Sequence, residues 1–155
     1  MEKLNKNFTD FLRLLNSNGV KYLIIGAYAV GYHGVVRATG DLDVFVDVSE
    51  KNADALLQVF RAFGFDVPGL RKEIFLEPGK IVRVGYPPLR VEVLNQITGV
   101  AFAECYEKRI EEVLDGVKVC FIDVQSLIKN KRAAGRLKDQ ADVEALEKRK
   151  DLPSL

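Results

Sequence analysis

The sequence predicts an α/β or α+β fold, a β-sheet with helices packed on it. Three observations carry this. Apolar residues recur at three- and four-residue spacing between residues 3 and 17 and again between 50 and 63. Short branched apolar runs, bounded by glycine, proline and an Asp-Gly pair, lie between and after these stretches. Along the chain the order is helix, strand, helix, strand, helix and then several strands.

Leu4, Phe8, Phe11, Leu12 and Leu15 form one apolar stripe, so residues 3–17 read as an amphipathic helix that Gly19 ends. "VKYLIIG" reads as a buried strand up to Gly26, "AYAVGYHG" as a short helix and "LDVFVDV" as a second strand. Ser49 is placed to cap a helix over 50–63, with Ala53, Leu56, Leu57 and Phe60 on its apolar side. "EIFLE", "KIVRVG" and "LRVEVL" read as short strands, with turns at Pro78-Gly79 and Pro87-Pro88. A helix around 101–108 follows. Then "EEVLDGVKVCFI" reads as a hairpin turning on Asp115-Gly116. Asp123 caps a helix over about 124–134, Gly135 breaks it, and a last helix covers roughly 139–149.

A length of 155 residues suits a single domain, 1–155, with enough chain for a real core. A net charge of +1 gives no global field to draw nucleic acid or membrane, so any polyanion must be held by a local patch. Cys105 and Cys120 lack metal-ligand spacing and are expected to be buried thiols. The polar start "MEKLNKNFTDF" carries no signal-peptide pattern. The longest apolar run, "YLIIGAYAVGY", is too short to span a bilayer. A cytoplasmic protein with no membrane partner is expected.

Asp41 and Asp43 flank one leucine just ahead of an apolar run. In a strand, Asp41, Asp43 and Phe45 share one face, while Leu42, Val44 and Val46 point to the core. Two carboxylates about 4 Å apart repel by roughly 4 kcal/mol at an effective dielectric near 20. Such a pair is kept if a cation fills the gap, if a proton is shared, or if water screens both. Alone, an Asp-x-Asp triplet is also what a solvated strand edge looks like. The neighbours sharpen it. "YLIIGAYAV" places a glycine at a strand-to-helix junction, and "RVEVL" offers a third acid, Glu92, between two valines. Three acids on adjacent strands, beside free backbone N–H groups, would suit a metal–triphosphate, and magnesium takes such hard oxygen ligands.

The order of strand, Gly26-Ala27, short helix, Arg-x-Thr-x-Asp-x-Asp, helix and acid-bearing strand resembles the nucleotidyltransferase superfamily with the DNA polymerase beta-type fold. "IIGAYAVGYHGVVRATGDLDVFVD" and the tail "LIKNKRAAGRLKDQADVEAL" are similar to small bacterial nucleotidyltransferase-like proteins related to AbiEii-type abortive-infection toxins. The resemblance runs from about residue 20 to 147. It implies a minimal nucleotidyltransferase fold, a mixed β-sheet with helices packed on it and C-terminal helices. It also implies that Asp41, Asp43 and Glu92 ligate Mg2+ or Mn2+ and carry catalysis. Gly26 and Ala27 would cradle the phosphates, with Arg37, Thr39, Lys131 and Arg136 also on the nucleotide. The family usually has Gly-Ser or Gly-Gly where this chain has Gly26-Ala27, and often aspartate where it has Glu92.

Other residues carry weaker signals. Arg37 reads either as a phosphate clamp or as a salt bridge to Asp41 or Asp47. His33 reads as a loop histidine satisfied by backbone at least as well as a phosphate contact. Lys129, Lys131, Arg132, Arg136 and Lys138 form a basic run. Asp139 and Asp142 would orient these groups or stabilise the last helix, and for Asp142 the structural role is favoured. Tyr28 and Tyr32 offer stacking surface for a base. Two functions of different class follow. One is a magnesium-dependent enzyme moving a nucleoside monophosphate from a triphosphate to a hydroxyl of RNA, protein or a small molecule. The other is a non-catalytic nucleotide- or partner-binding relative, such as a toxin–antitoxin component.

Overall fold

The computed structural model describes residues 4–37, 40–86 and 89–150, the side chain of Lys150 apart. The first helix, α1 (Lys6–Ser17), starts later than the spacing predicts because Asn5 caps it, its side chain accepting from Asn7 N at 2.8 Å. It buries Phe8, Phe11, Leu12 and Leu15. Then come β1 (Tyr22–Ile25), α2 (Gly26–Tyr32), β2 (Leu42–Val46) and α3 (Glu50–Ala62). Ser49 caps α3 as predicted, accepting from Asn52 N at 3.0 Å.

The segment "EIFLE" corrects the sequence reading. Lys72–Phe75 is a turn of 3-10 helix, not a strand. Phe75 stacks on Phe60 at 5.4 Å, and Asn95 donates to the carbonyls of Phe75 and Glu77 at 3.3 and 2.8 Å. A side chain thus takes backbone groups that a strand would need for its ladder. Beyond it lie β3 (Ile81–Val84), β4 (Val91–Leu94), α4 (Phe102–Glu107), β5 (Ile110–Leu114) and β6 (Val117–Phe121). The β5–β6 hairpin turns on Asp115 and Gly116, whose φ values of 52° and 78° are the two positive angles of a type I′ turn. Asp123 caps α5 (Val124–Ala134), Gly135 ends it at φ 69°, and α6 (Leu137–Lys150) follows.

The strand order is β3-β4-β2-β1-β6-β5. β1 runs antiparallel to β2 and parallel to β6, β2 runs parallel to β4, and β3 and β5 close the edges antiparallel. The fold is a mixed α/β fold with six strands and six α-helices among the described residues. Both cysteines are buried free thiols. No helix among the described residues is long and apolar enough to cross a membrane.

One detail of β2 sets up the site. Phe45 shares a strand face with the aspartates but is buried, packed edge-on against Phe102 of α4 at 5.1 Å. Helix α4 therefore covers that face near the end of β2 and leaves it open near its start. Asp43 sits at this open end, with Ile25 of β1 opposite on one side and Glu92 of β4 on the other.

Candidate active site

At the β1–α2 junction the backbone of Gly26 takes φ +66°, and a Cβ there would run into Asp43 Oδ2 and lie 3.1 Å from Asp43 Cγ. Only glycine allows both the backbone angle and the approach. Gly26→Ala is therefore expected to lose about 2 kcal/mol or more of stability, from left-handed strain plus displacement of Asp43. Gly31, inside α2 with open space around its Cα, serves as the control: Gly31→Ala should be neutral or slightly stabilising. Urea unfolding of the two variants measures the contrast.

The three acids differ in their partners. Asp41 accepts from Arg90 Nη2 and Nε at 2.7 and 3.1 Å. Glu92 meets Arg83 Nε at 3.0 Å and Arg90 Nη2 at 3.3 Å. Asp43 Oδ1 is buried with no hydrogen-bond partner among the described residues. Burial, then the charges of Glu92 and Asp41, push the Asp43 carboxyl up to about 7.

These acids form one wall of a cleft of about 460 Å³. Gly26 and Arg83 belong to the same wall, and Asn130, Lys131, Ala134, Arg136 and Lys138 of the α5–α6 corner face them. A larger depression of about 1000 Å³ lies between α1, the end of α3 and Val84, Gly85, Tyr86 and Leu89. Its one acid, Asp10, already pairs with Lys6 and Arg13. Chemistry, not size, marks the first cleft.

The α5–α6 corner is built on ions. Lys131 Nζ lies 2.9 Å from Asp142 and 3.4 Å from Asp139, with side chains 9%, 7% and 1% exposed. Arg136 Nε donates to Asp139 Oδ2 at 2.7 Å. Burial alone would raise the Asp139 pKa. The hydrogen bond from Arg136 and the charge of Lys131 outweigh it and hold the carboxyl below its ordinary value. Lys138 faces the cleft and its charge acts on Asp43, opposing the rise in that carboxyl's pKa.

The structure thus brings Gly26, Asp41, Asp43, Glu92, Lys131 and Arg136 to one cleft. Arg37 does not line it: its guanidinium donates to Asp142, not to Asp41 or Asp47. Ala27 sits half-buried in the first turn of α2 and does not line the cleft either. Thr39 lies outside the described residues. Tyr28 packs edge-on against Phe8 at 5.7 Å, and Tyr32 stacks on Phe121 at 4.2 Å while donating to Glu112 at 2.7 Å. Neither tyrosine reaches the cleft. His33 Nε2 donates to the Ile122 carbonyl at 2.8 Å, and burial lowers its pKa. Sequence reasoning missed Arg90 and Arg83. Arg90 was legible in principle, since strand alternation puts it on the face of Glu92; Arg83 needed the β3–β4 register.

The donor set fits a hard divalent cation: carboxylate oxygens, one of them buried without a partner, beside an open cleft. As the side chains stand, no group of three or more His, Cys, Asp or Glu among the described residues is placed to hold a metal ion. Arg90 lies between Asp41 and Glu92 instead. Magnesium needs only one or two carboxylates when phosphates complete its shell, so Asp43 with either neighbour would be enough to hold it.

Among solved structures, the fold is similar to an antigenic nucleotidyltransferase-like protein from Paracoccidioides brasiliensis. The TM-score is 0.55 at 18% identity, over 91% of this chain and 72% of that one. No curated protein matches the sequence. Residues 2–155 match the family described as "Nucleotidyltransferase of unknown function (DUF6036)", and the chain belongs to that family.

Proposed function

We propose that this protein transfers a nucleoside monophosphate from a nucleoside triphosphate to a hydroxyl of RNA, protein or a small molecule, with Mg2+ or Mn2+ as cofactor. The observation that carries the reading is Asp43. Its unpartnered buried oxygen lies beside Asp41 and Glu92 and across a cleft from Lys131, Arg136 and Lys138. Asp43 with Asp41 or Glu92 would hold the divalent ion, which would neutralise phosphate charge and lower the pKa of the attacking hydroxyl. Gly26, without a side chain, would let the phosphates approach the end of β1. Lys138 and Arg136 reach the cleft from the far wall and offset negative charge. Transfer of this kind needs positioning and electrostatics more than covalent chemistry, and these residues supply both.

The tail "GRLKDQAD" supports a closer kinship with AbiEii-type toxins. A second reading, a non-catalytic nucleotide- or partner-binding relative, has its own support. Arg90 already neutralises Asp41 and Glu92, and Ala27 lacks the hydroxyl usual at its position. Incubation with each labelled triphosphate, magnesium or manganese, and total cell RNA and protein separates the two. The enzyme reading expects a labelled product that vanishes with Asp43→Asn. No label under any condition leaves the binding reading.

A further inference from the structure

We infer that Arg90 is the site's own counter-ion, holding the carboxylates together while no divalent ion is bound and moving onto the substrate phosphates when one enters. The inference deepens the nucleotidyl-transfer reading and rests on it. One guanidinium spans two acids, with Nη2 2.7 Å from Asp41 and 3.3 Å from Glu92. That is the gap an ion would use. The backbone of Arg90 cannot leave, because its carbonyl accepts from Leu42 N at 2.9 Å. The side chain can, since it is 31% exposed.

Its departure has unequal consequences for the two acids. Glu92 keeps Arg83, its cross-strand partner, at 3.0 Å. Among the described residues, Arg90 is the one hydrogen-bond and ion-pair partner of Asp41. An ion that took Asp41 would therefore replace a charge instead of adding one. A guanidinium left beside that ion would repel it, whereas the planar fork that now grips Asp41 fits a phosphate equally well. The ion alone should bind poorly, and ion and nucleotide should bind with positive coupling, each favouring the state in which Arg90 has moved.

Manganese titration read by the electron paramagnetic resonance of free Mn2+ tests this, with and without a non-hydrolysable triphosphate analogue. Arg90→Met should bind Mn2+ alone about tenfold more tightly than the wild type, and the analogue should tighten the ion less than in the wild type. Arg90→Lys keeps the charge but loses the fork, so it should fold like the wild type and bind Mn2+ alone a few-fold more tightly. Unchanged or weaker Mn2+ affinity in the variant that folds overturns the inference. If the wild type binds Mn2+ with the analogue and the Arg90 variants gain nothing, only the counter-ion role falls. If neither ion nor analogue binds any of the proteins, the nucleotidyl-transfer reading falls with it.

Discussion

Lys131→Met is expected to destabilise the protein by about 3 kcal/mol, the low end of what breaking a buried ion pair costs. Lys131 is buried, and it sits between the buried Asp139 and Asp142. Methionine fills the volume but removes the charge, leaving two buried carboxylates facing one another. Arg136 still holds Asp139 and Arg37 still holds Asp142, which keeps the loss off the high end. Because α5 and α6 meet at this cluster, the cleft wall carrying Arg136 and Lys138 should loosen as well. Guanidinium chloride unfolding measures the cost. Adding Asp142→Asn to Lys131→Met should recover part of it, since the amide carries no charge and its oxygen still accepts from Arg37. A single-variant loss under about 1 kcal/mol would mean that water reaches the cluster and that the pairs act like surface ones.

Asp43→Asn should act in the opposite direction on stability and remove function. Asparagine keeps the shape and mimics the protonated acid. The carboxyl is raised from 3.8 to about 7 by burial and by its acidic neighbours. The folded state therefore holds a proton that the unfolded state has lost between those values, and wild-type stability falls as pH rises across that window. Below pH 3.8 both states are protonated, so wild type and variant should match. Above pH 7 the variant should be more stable by about 1–2 kcal/mol, after solvent screening discounts the full linkage value. Urea unfolding from pH 4 to 8 in metal-free buffer traces this divergence.

Ligand dependence separates function from architecture. Magnesium with a triphosphate should raise the wild-type melting temperature, by mass action worth roughly 2.7 kcal/mol at a hundredfold excess over Kd. The triphosphate without magnesium should do much less, because the carboxylates repel it. Asp43→Asn should abolish the metal-dependent part. A variant that is less stable at neutral pH yet keeps its ligand shift would make Asp43 a structural residue and remove the case for a metal site there.

Much of this molecule was legible residue by residue. Ser49 and Asp123 announce helix starts because a side-chain oxygen three residues ahead of a free N–H satisfies it wherever the chain goes. Asp115-Gly116 announces its hairpin because those residues tolerate the positive φ pair that the strand twist demands. The aspartate pair was legible as chemistry, since charge repulsion needs no fold to be recognised. "EIFLE" misled because a five-residue apolar alternation carries no record of Asn95, some twenty residues on, taking its carbonyls. Phe45 misled because alternation states which face a side chain takes, not whether a helix covers that face.

By itself the sequence determined which residues carry charge, where helices and turns begin, and that three acids fall in or just ahead of strands beside a glycine junction. These depend on interactions within about five residues, which chain connectivity enforces. Only the tertiary structure decided who neutralises whom. Arg90 reaches Asp41 across 49 positions, and Arg37 reaches Asp142 across 105. Those partners are set by the parallel pairing of β2 with β4 and by the fold-back of α5 and α6. Many cations were available to each acid in the sequence. The choice among them follows from proximity and burial, because Coulomb attraction strong enough to select a partner exists only where the packed chain has excluded water.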